Sequence, residues 1–241
     1  MMFGSRDRGG RYGRRFCAAL AAVVVAFSGL LAGAAEEGGA PLMGARFIEG
    51  THYKALPVRV DTRNGDKVEV VELFSYACIH CNNFEPYVKS WQEKQAGDVD
   101  FRPVPAVFNR DWELLAQAFY TAETLGVTEA VHQDIFDGIH ERREDLRQQE
   151  ALAELFARQA GISRDDFDAA YGSFSVRSRV QQAKALVRAY RATGVPAMVV
   201  NGRYIVDGQM AGGNAAMLDV VDFLVAQERA TLSTEVSTAQ R

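Results

Sequence analysis

Cys78 and Cys81, set three residues apart, are the residues of this 241-residue chain whose types and spacing could carry out covalent chemistry. One chemistry is redox. If a helix begins at Cys78, unpaired N–H groups of its first turn point at the sulfur and the helix dipole favours negative charge there. That lowers a thiol pKa, and the thiolate is the reactive species. His80, protonated or donating a hydrogen bond, pushes the same way. Cys81 lies one helical turn on, close enough to close a disulfide with Cys78. A second chemistry is half of a zinc site. Zinc wants four ligands, and the other candidates, Cys17, His52, His132 and His140, are scattered. A third is a structural staple, though a four-residue loop restricts the unfolded chain little.

The elements around the pair must position it. Val68 to Phe74 is a short apolar, β-branched and aromatic run, the mark of a central strand. Ser75 to Ala77 makes a turn, and a helix follows from Cys78 to about Gln95, kinked by Pro86. Before the strand, 47–60 alternates loosely and suggests an edge strand. Val99 to Val107 reads as a second strand, parallel to the first through the helix crossover. From Asp111 to Tyr190 apolar residues recur at helical spacing, giving four or five helices. Gly126 and Gly161 stop helices, Ser163 with Asp166 forms a capping box, and a long helix over Ser175–Thr193 is stopped by Gly194. The charge run 141–145 reads as a solvated face, and Trp91 and Trp112 as packing residues. Strands return at Ala197–Val200 and Arg203–Val206 around Asn201-Gly202, a two-residue hairpin signal. Asp207-Gly208 turns the chain, Asn214 caps a last helix, and the polar residues after Arg229 read as frayed.

The N-terminal residues differ from the rest. Five arginines precede an uncharged run from Phe16 to Ala35 that ends in small residues, the pattern of a secretory signal peptide. Removing 1–35 takes away those arginines and one aspartate, leaving 22 basic and 30 acidic residues and a formal charge near −8. An acidic surface argues against nucleic acid as a partner. It also leaves two cysteines in an oxidising compartment, where a fold held by disulfides would scatter more of them.

The order of strand, Cys-x-x-Cys helix, helical block, Val195-Pro196, hairpin and helix resembles a thioredoxin fold interrupted by a helical insertion. More closely, VELFSYACIHC and TGVPAMVVNGRY, in order around the all-helical block, resemble the DsbA family of periplasmic thiol:disulfide oxidoreductases. The likeness runs from about Phe47 to Ala226. It implies an α/β chain with a signal peptide at 1–35, a linker at 36–46 and thioredoxin-like parts at 47–110 and 191–228. The helical insertion is then 111–190, and 229–241 a flexible tail.

The resemblance also implies roles. Cys78 is the exposed nucleophile, Cys81 its buried partner and His80 the family's histidine. Val195 and Pro196 form a cis-proline loop facing the pair and binding substrate. Glu72 is a buried acid beneath it, able to relay the proton of Cys81, with Arg102 the only basic candidate to pair with it. Ile79 departs from the proline most common at its position. The expected activity is disulfide formation in exported proteins by a periplasmic monomer. It would need no cofactor beyond its own disulfide, would be reoxidised by a DsbB-like membrane quinone reductase, and would be more stable to unfolding when reduced. The alternatives are an isomerase or reductase of the same fold, or a peptide-binding chaperone.

Overall fold

In the computed structural model the residues described are 46–239, with side chains through 233. The expected signal peptide and nearly all of the expected linker lie outside them. A five-stranded sheet runs through the centre, built from β1 (Lys54–Ala55), β2 (Val68–Phe74), β3 (Val99–Pro105), β4 (Ala197–Val200) and β5 (Tyr204–Asp207), in the order β1-β5-β4-β2-β3. β2 is buried along its whole length. It pairs parallel with β3, from Val68↔Val99 to Phe74↔Pro105, and antiparallel with β4, where Glu72 faces Met198. The parallel pair needs a crossover, and the cysteine helices supply it.

The faces of β2 serve two cores. Val71 and Leu73 pack against the helical insertion, with Phe119, Phe136, Leu152, Phe156 and Val180. Val68 and Val70 pack against Phe84, Val88, Trp91 and the last helix through Met217, Val221 and Leu224. Both tryptophans pack as expected: Trp91 is buried with its indole N–H on Asp222 at 2.7 Å, and Trp112 lies against the insertion core.

The crossover departs from the expected single kinked helix. α1 (Ile79–Asn82) is one turn, and α2 (Glu85–Gln92) starts afresh after Asn83 and Phe84. Pro86 sits in the first turn of α2. An N–H there has no intrahelical partner, so proline starts a helix at that position instead of bending one.

Between β3 and β4 come α3 (Arg110–Leu125), α4 (Thr128–His140), α5 (Gln149–Ala160), α6 (Arg164–Tyr171) and α7 (Phe174–Ala189), with no strand among them. Local chemistry sets their ends. Gly126 and Gly161 close α3 and α5 in the left-handed region, at φ 70° and 66°. Ser163 Oγ accepts from the Asp166 N–H at 3.1 Å and donates to its carboxylate at 2.6 Å. α7 begins and ends earlier than its apolar spacing suggests. Ser173 caps it, and Arg191, at φ 53°, turns the chain before Gly194 is reached.

The hairpin from β4 to β5 turns on Asn201 (φ 50°) and Gly202 (φ 61°), the signature of a type I′ turn. The expected turn at Asp207-Gly208 is a short helix, α8 (Gly208–Ala211), capped by Asp207, whose carboxylate accepts from the Met210 N–H at 2.8 Å. Where polar composition suggests fraying after Arg229, α9 runs on from Asn214 to Ala239. Arg229 clamps Asp98 with two bonds of 2.6 and 2.8 Å, and Leu232 still packs against the core. Thr231 and Ser233 bond back to carbonyls four residues earlier, so polar composition does not break the helix.

Candidate active site

Cys78 sits at the N-cap of α1 with extended backbone, its N–H bonded to the Ser75 carbonyl at 3.0 Å. The turn before it is held by the Ala77 N–H on Ser75 Oγ at 3.2 Å. The two cysteines, both free thiols in this structure, are unlike each other. Cys78 is half-buried and Cys81 has no exposed surface.

Their acidities separate accordingly. Cys78 is lowered to about 6, first by the hydrogen bond from the Cys81 thiol, against burial, and then by the backbone N–H groups of Cys81 and His80 and the charge of His80. Cys81 is pushed far up by burial, by donating to Cys78 and by the negative charges of Cys78 and Glu72. The order of causes differs from the sequence-based reading, which puts the helix terminus first. α1 is a single turn, too short for a large macrodipole, so the partner thiol leads.

Cys78 Sγ lies 3.6 Å from the Val195 carbonyl oxygen, and the Val195–Pro196 peptide is cis. Residues 117 apart thus meet at one sulfur. His80 is exposed, and its carbonyl receives Asn214 Nδ2 at 3.4 Å. Beside it a cavity of about 590 Å³ is lined by His80, Val195, Pro196, Gln209, Met210 and Asn214, among others.

Glu72 is 2% exposed in the central strand, and its Oε1 has no hydrogen-bond partner. Burial and the charge of Glu85 push its carboxyl well above the usual carboxylate range. Arg102 does not pair with it. Next to Pro103, the strand partner of Glu72, Arg102 turns to the opposite face and meets Glu69 at 3.2 Å. Adjacent positions of a strand point to opposite faces, which puts Arg102 out of reach.

Sequence reasoning missed three groups. Tyr76, in the turn before Cys78, is buried, with its hydroxyl 2.8 Å from His132 Nδ1 and its carbonyl 2.8 Å from His140 Nε2. Glu85, at the start of α2, lies 3.2 Å from His132 Nε2. The signal was present as two histidines eight residues apart on one helical pattern, but only tertiary packing brings α4 to the active-site turn. Among the described residues, no group of three or more His, Cys, Asp or Glu could hold a metal ion.

Two free thiols of opposite acidities, the more acidic one against the cis Val195–Pro196 peptide, make up this site. The profile of the DSBA-like thioredoxin domain matches residues 69–224. The chain belongs to this family. It is 47% identical over 180 residues to the thiol:disulfide interchange protein DsbA of Azotobacter vinelandii, spanning 75% of this chain and 84% of that one. Its identity to the DsbA of Pseudomonas aeruginosa strain PAO1 is 40% over 184 residues, or 76% and 87% of the two chains. The crystal structure of Pseudomonas aeruginosa DsbA superposes with a TM-score of 0.74 at 39% identity, covering 78% of this chain and 97% of that one. The chain is thus a thiol:disulfide oxidoreductase of the DsbA family, built on a thioredoxin fold with a helical insertion.

Proposed function

We propose that Cys78 is the attacking and accepting sulfur of this oxidoreductase, Cys81 its buried resolving partner, and exported proteins with free cysteines its substrates. The observation that carries the reading is the opposition of the two thiols, with Cys78 near 6 and accessible, and Cys81 buried and held protonated. In the oxidised protein a substrate thiolate attacks Cys78, the Cys78–Cys81 bond breaks, and Cys81 leaves with the electron pair and takes up a proton. A second substrate thiolate then attacks the substrate sulfur of the mixed disulfide. The substrate gains its disulfide, and Cys78 leaves as a thiolate, a good leaving group because its pKa is low.

His80 lends charge to Cys78, and the Val195–Pro196 loop presents backbone to an extended substrate beside the sulfur. Glu72 passes the proton of Cys81. The reaction needs no resident cofactor beyond the two sulfurs. The protein acts as a monomer in the periplasm, and a DsbB-like membrane quinone reductase restores the disulfide. The acidic surface supports protein thiols, not nucleic acid, as partners.

The test is a pair of variants with a reduced two-cysteine peptide. Cys78→Ser abolishes its oxidation, while Cys81→Ala retains one reactive thiol and accumulates mixed disulfides. An active Cys78→Ser protein would overturn the assignment. A redox titration against glutathione separates this oxidase from a reductase, which would poise well below the glutathione couple.

A further inference from the structure

The proton that Cys81 takes up has no direct path from solvent, since the sulfur is fully buried. Glu72, whose charge acts on Cys81, lines a cavity of about 770 Å³ together with Glu85 and His132. Glu72 Oε1 and Glu85 Oε1 are buried and make no hydrogen bond, although His132 Nε2 lies 3.2 Å from the latter. Burial and the charge of Glu85 raise the proton affinity of Glu72, which makes it a store for a proton, but a store needs an entry. The neighbouring strand offers none, because Pro103 stands opposite Glu72 and Arg102 faces the other way, on Glu69.

We propose that His132 is a positioning residue for thiol exchange, linking the Glu72/Glu85 carboxyl pair to solvent and passing the proton that Cys81 gains on reduction and loses on reoxidation. The inference rests on the relay role given to Glu72 above. Burial and the nearby acids hold the Tyr76 hydroxyl protonated, so it donates to His132 Nδ1. That leaves the ring proton of the neutral imidazole on Nε2, 3.2 Å from Glu85 Oε1. His132 is one-fifth exposed and lines the cavity, with Glu85 beside its Nε2. His140, two turns on along α4, fixes the Tyr76 carbonyl and with it the place of the ring.

Every element packed around the cavity adds to the charge that His132 meets. β2 supplies Glu72, α2 supplies Glu85 and Lys89, with Glu93 at its C-cap, α3 supplies Glu123, and α4 itself supplies Glu129. Glu123 is engaged by Arg179. Imidazole is the side chain that exchanges protons most readily near neutral pH. When a substrate thiolate opens the Cys78–Cys81 bond, Cys81 gains an electron pair and one proton. The proton passes from His132 to the carboxyl pair and on to the sulfur through cavity solvent, and His132 regains one from bulk water. Reoxidation runs the same steps in reverse.

The first test uses the wild-type protein. The NMR titration of His132 is followed in the oxidised and reduced forms, because coupling between two sites is reciprocal. The midpoint should differ between the forms by at least ~0.3 pH, and the difference should shrink in Glu72→Gln. Second, His132→Gln, which keeps the hydrogen bonds but does not titrate, should slow opening of the disulfide by glutathione about tenfold and flatten its pH profile between pH 5 and 8. The His132→Gln/Glu72→Gln double variant should be no slower than Glu72→Gln alone. Identical His132 titrations in the two forms, or a His132→Gln pH profile that overlays the wild type, would overturn the proposal. Slow Glu72→Gln with normal His132→Gln removes His132 alone, whereas normal kinetics in Glu72→Gln remove the relay itself.

Discussion

The sulfur of Cys78 and the carbonyl oxygen of Val195 lie 3.6 Å apart, although 117 residues separate them in the chain. As a thiol, Cys78 donates to that carbonyl. As a thiolate it has no proton to give and is held instead by the Cys81 thiol and the N–H groups of Cys81 and His80. Ionisation therefore moves the sulfur's bonding toward α1 and frees the Val195 carbonyl. The pH at which this happens is measurable. Iodoacetamide should label Cys78 in the reduced protein with a midpoint near pH 6, and Cys81 should stay unlabelled throughout. A midpoint near the free-thiol value of about 8.5 would count against the arrangement.

Glu72 gives a prediction about stability. Its folded pKa is raised, so the stabilising effect of its proton is full below the unfolded value, about 4.3, and fades as pH rises through the folded one. Above that, the fold carries a buried charge facing Glu85. Glu72→Gln removes it. The variant should be more stable than the wild type by about 1 kcal/mol at pH 8, with the gap closing toward pH 5. Thermal melts across that range check it. A variant less stable than the wild type at pH 8 would mean that the carboxylate is held by a partner.

How much of this was legible beforehand can be argued from the same residues. Val68 to Phe74 announces a central strand because every position is buried, and Asn201-Gly202 announces a hairpin because both φ values are positive. The cysteines announce themselves by spacing. Glu72 could be suspected from its place in an apolar strand, but its isolation could not, because that depends on which way Arg102 turns. Tyr76, Glu85 and His132 were not legible as a group. They come from a turn, a helix start and the insertion, and no period in the sequence relates those three. The break between α1 and α2 was missed because Pro86 reads equally as a helix kink and a helix start, and only the register of Cys78 decides.

Gly202 gives a prediction for the hairpin. Its φ is +61°, and a Cβ there would come within 2.0 Å of the Val60 carbonyl oxygen. The approach is enforced by the Val60 N–H bonding to the Gly202 carbonyl at 2.9 Å. Gly202→Ala must therefore adopt a disfavoured backbone conformation and push the segment at Val60 away. It should lose about 2 kcal/mol or more in urea melts. A variant within about 0.5 kcal/mol of the wild type would mean that the segment before β2 moves freely.

The last prediction concerns the two redox forms. The reduced form gains from the Cys78 thiolate, whose folded pKa of about 6 lies below that of a free thiol. A depressed group contributes fully above the unfolded pKa, and its contribution is lost as pH falls through the folded one. With an unfolded thiol at about 8.5, and with solvent screening at the half-buried sulfur, the gain is at most about 1.4 kcal/mol at pH 7 and about 2.5 kcal/mol at pH 8. The oxidised form gains from loop closure, which for four residues is about 1.9 kcal/mol. The two stabilities should therefore cross between pH 7 and pH 8, with the reduced form the more stable above the crossing. Cys81 sets the upper limit of the effect. Its folded pKa is raised, so its proton favours the fold up to the unfolded value and the advantage is lost above it. The excess stability of the reduced form should then peak near pH ~8.5 and decline beyond. Urea melts of both forms from pH 5.5 to pH 9.5 check the crossing and the peak. An oxidised form that stays the more stable at every pH would show that the thiolate is not stabilised in the fold, and would favour a reductase over an oxidase.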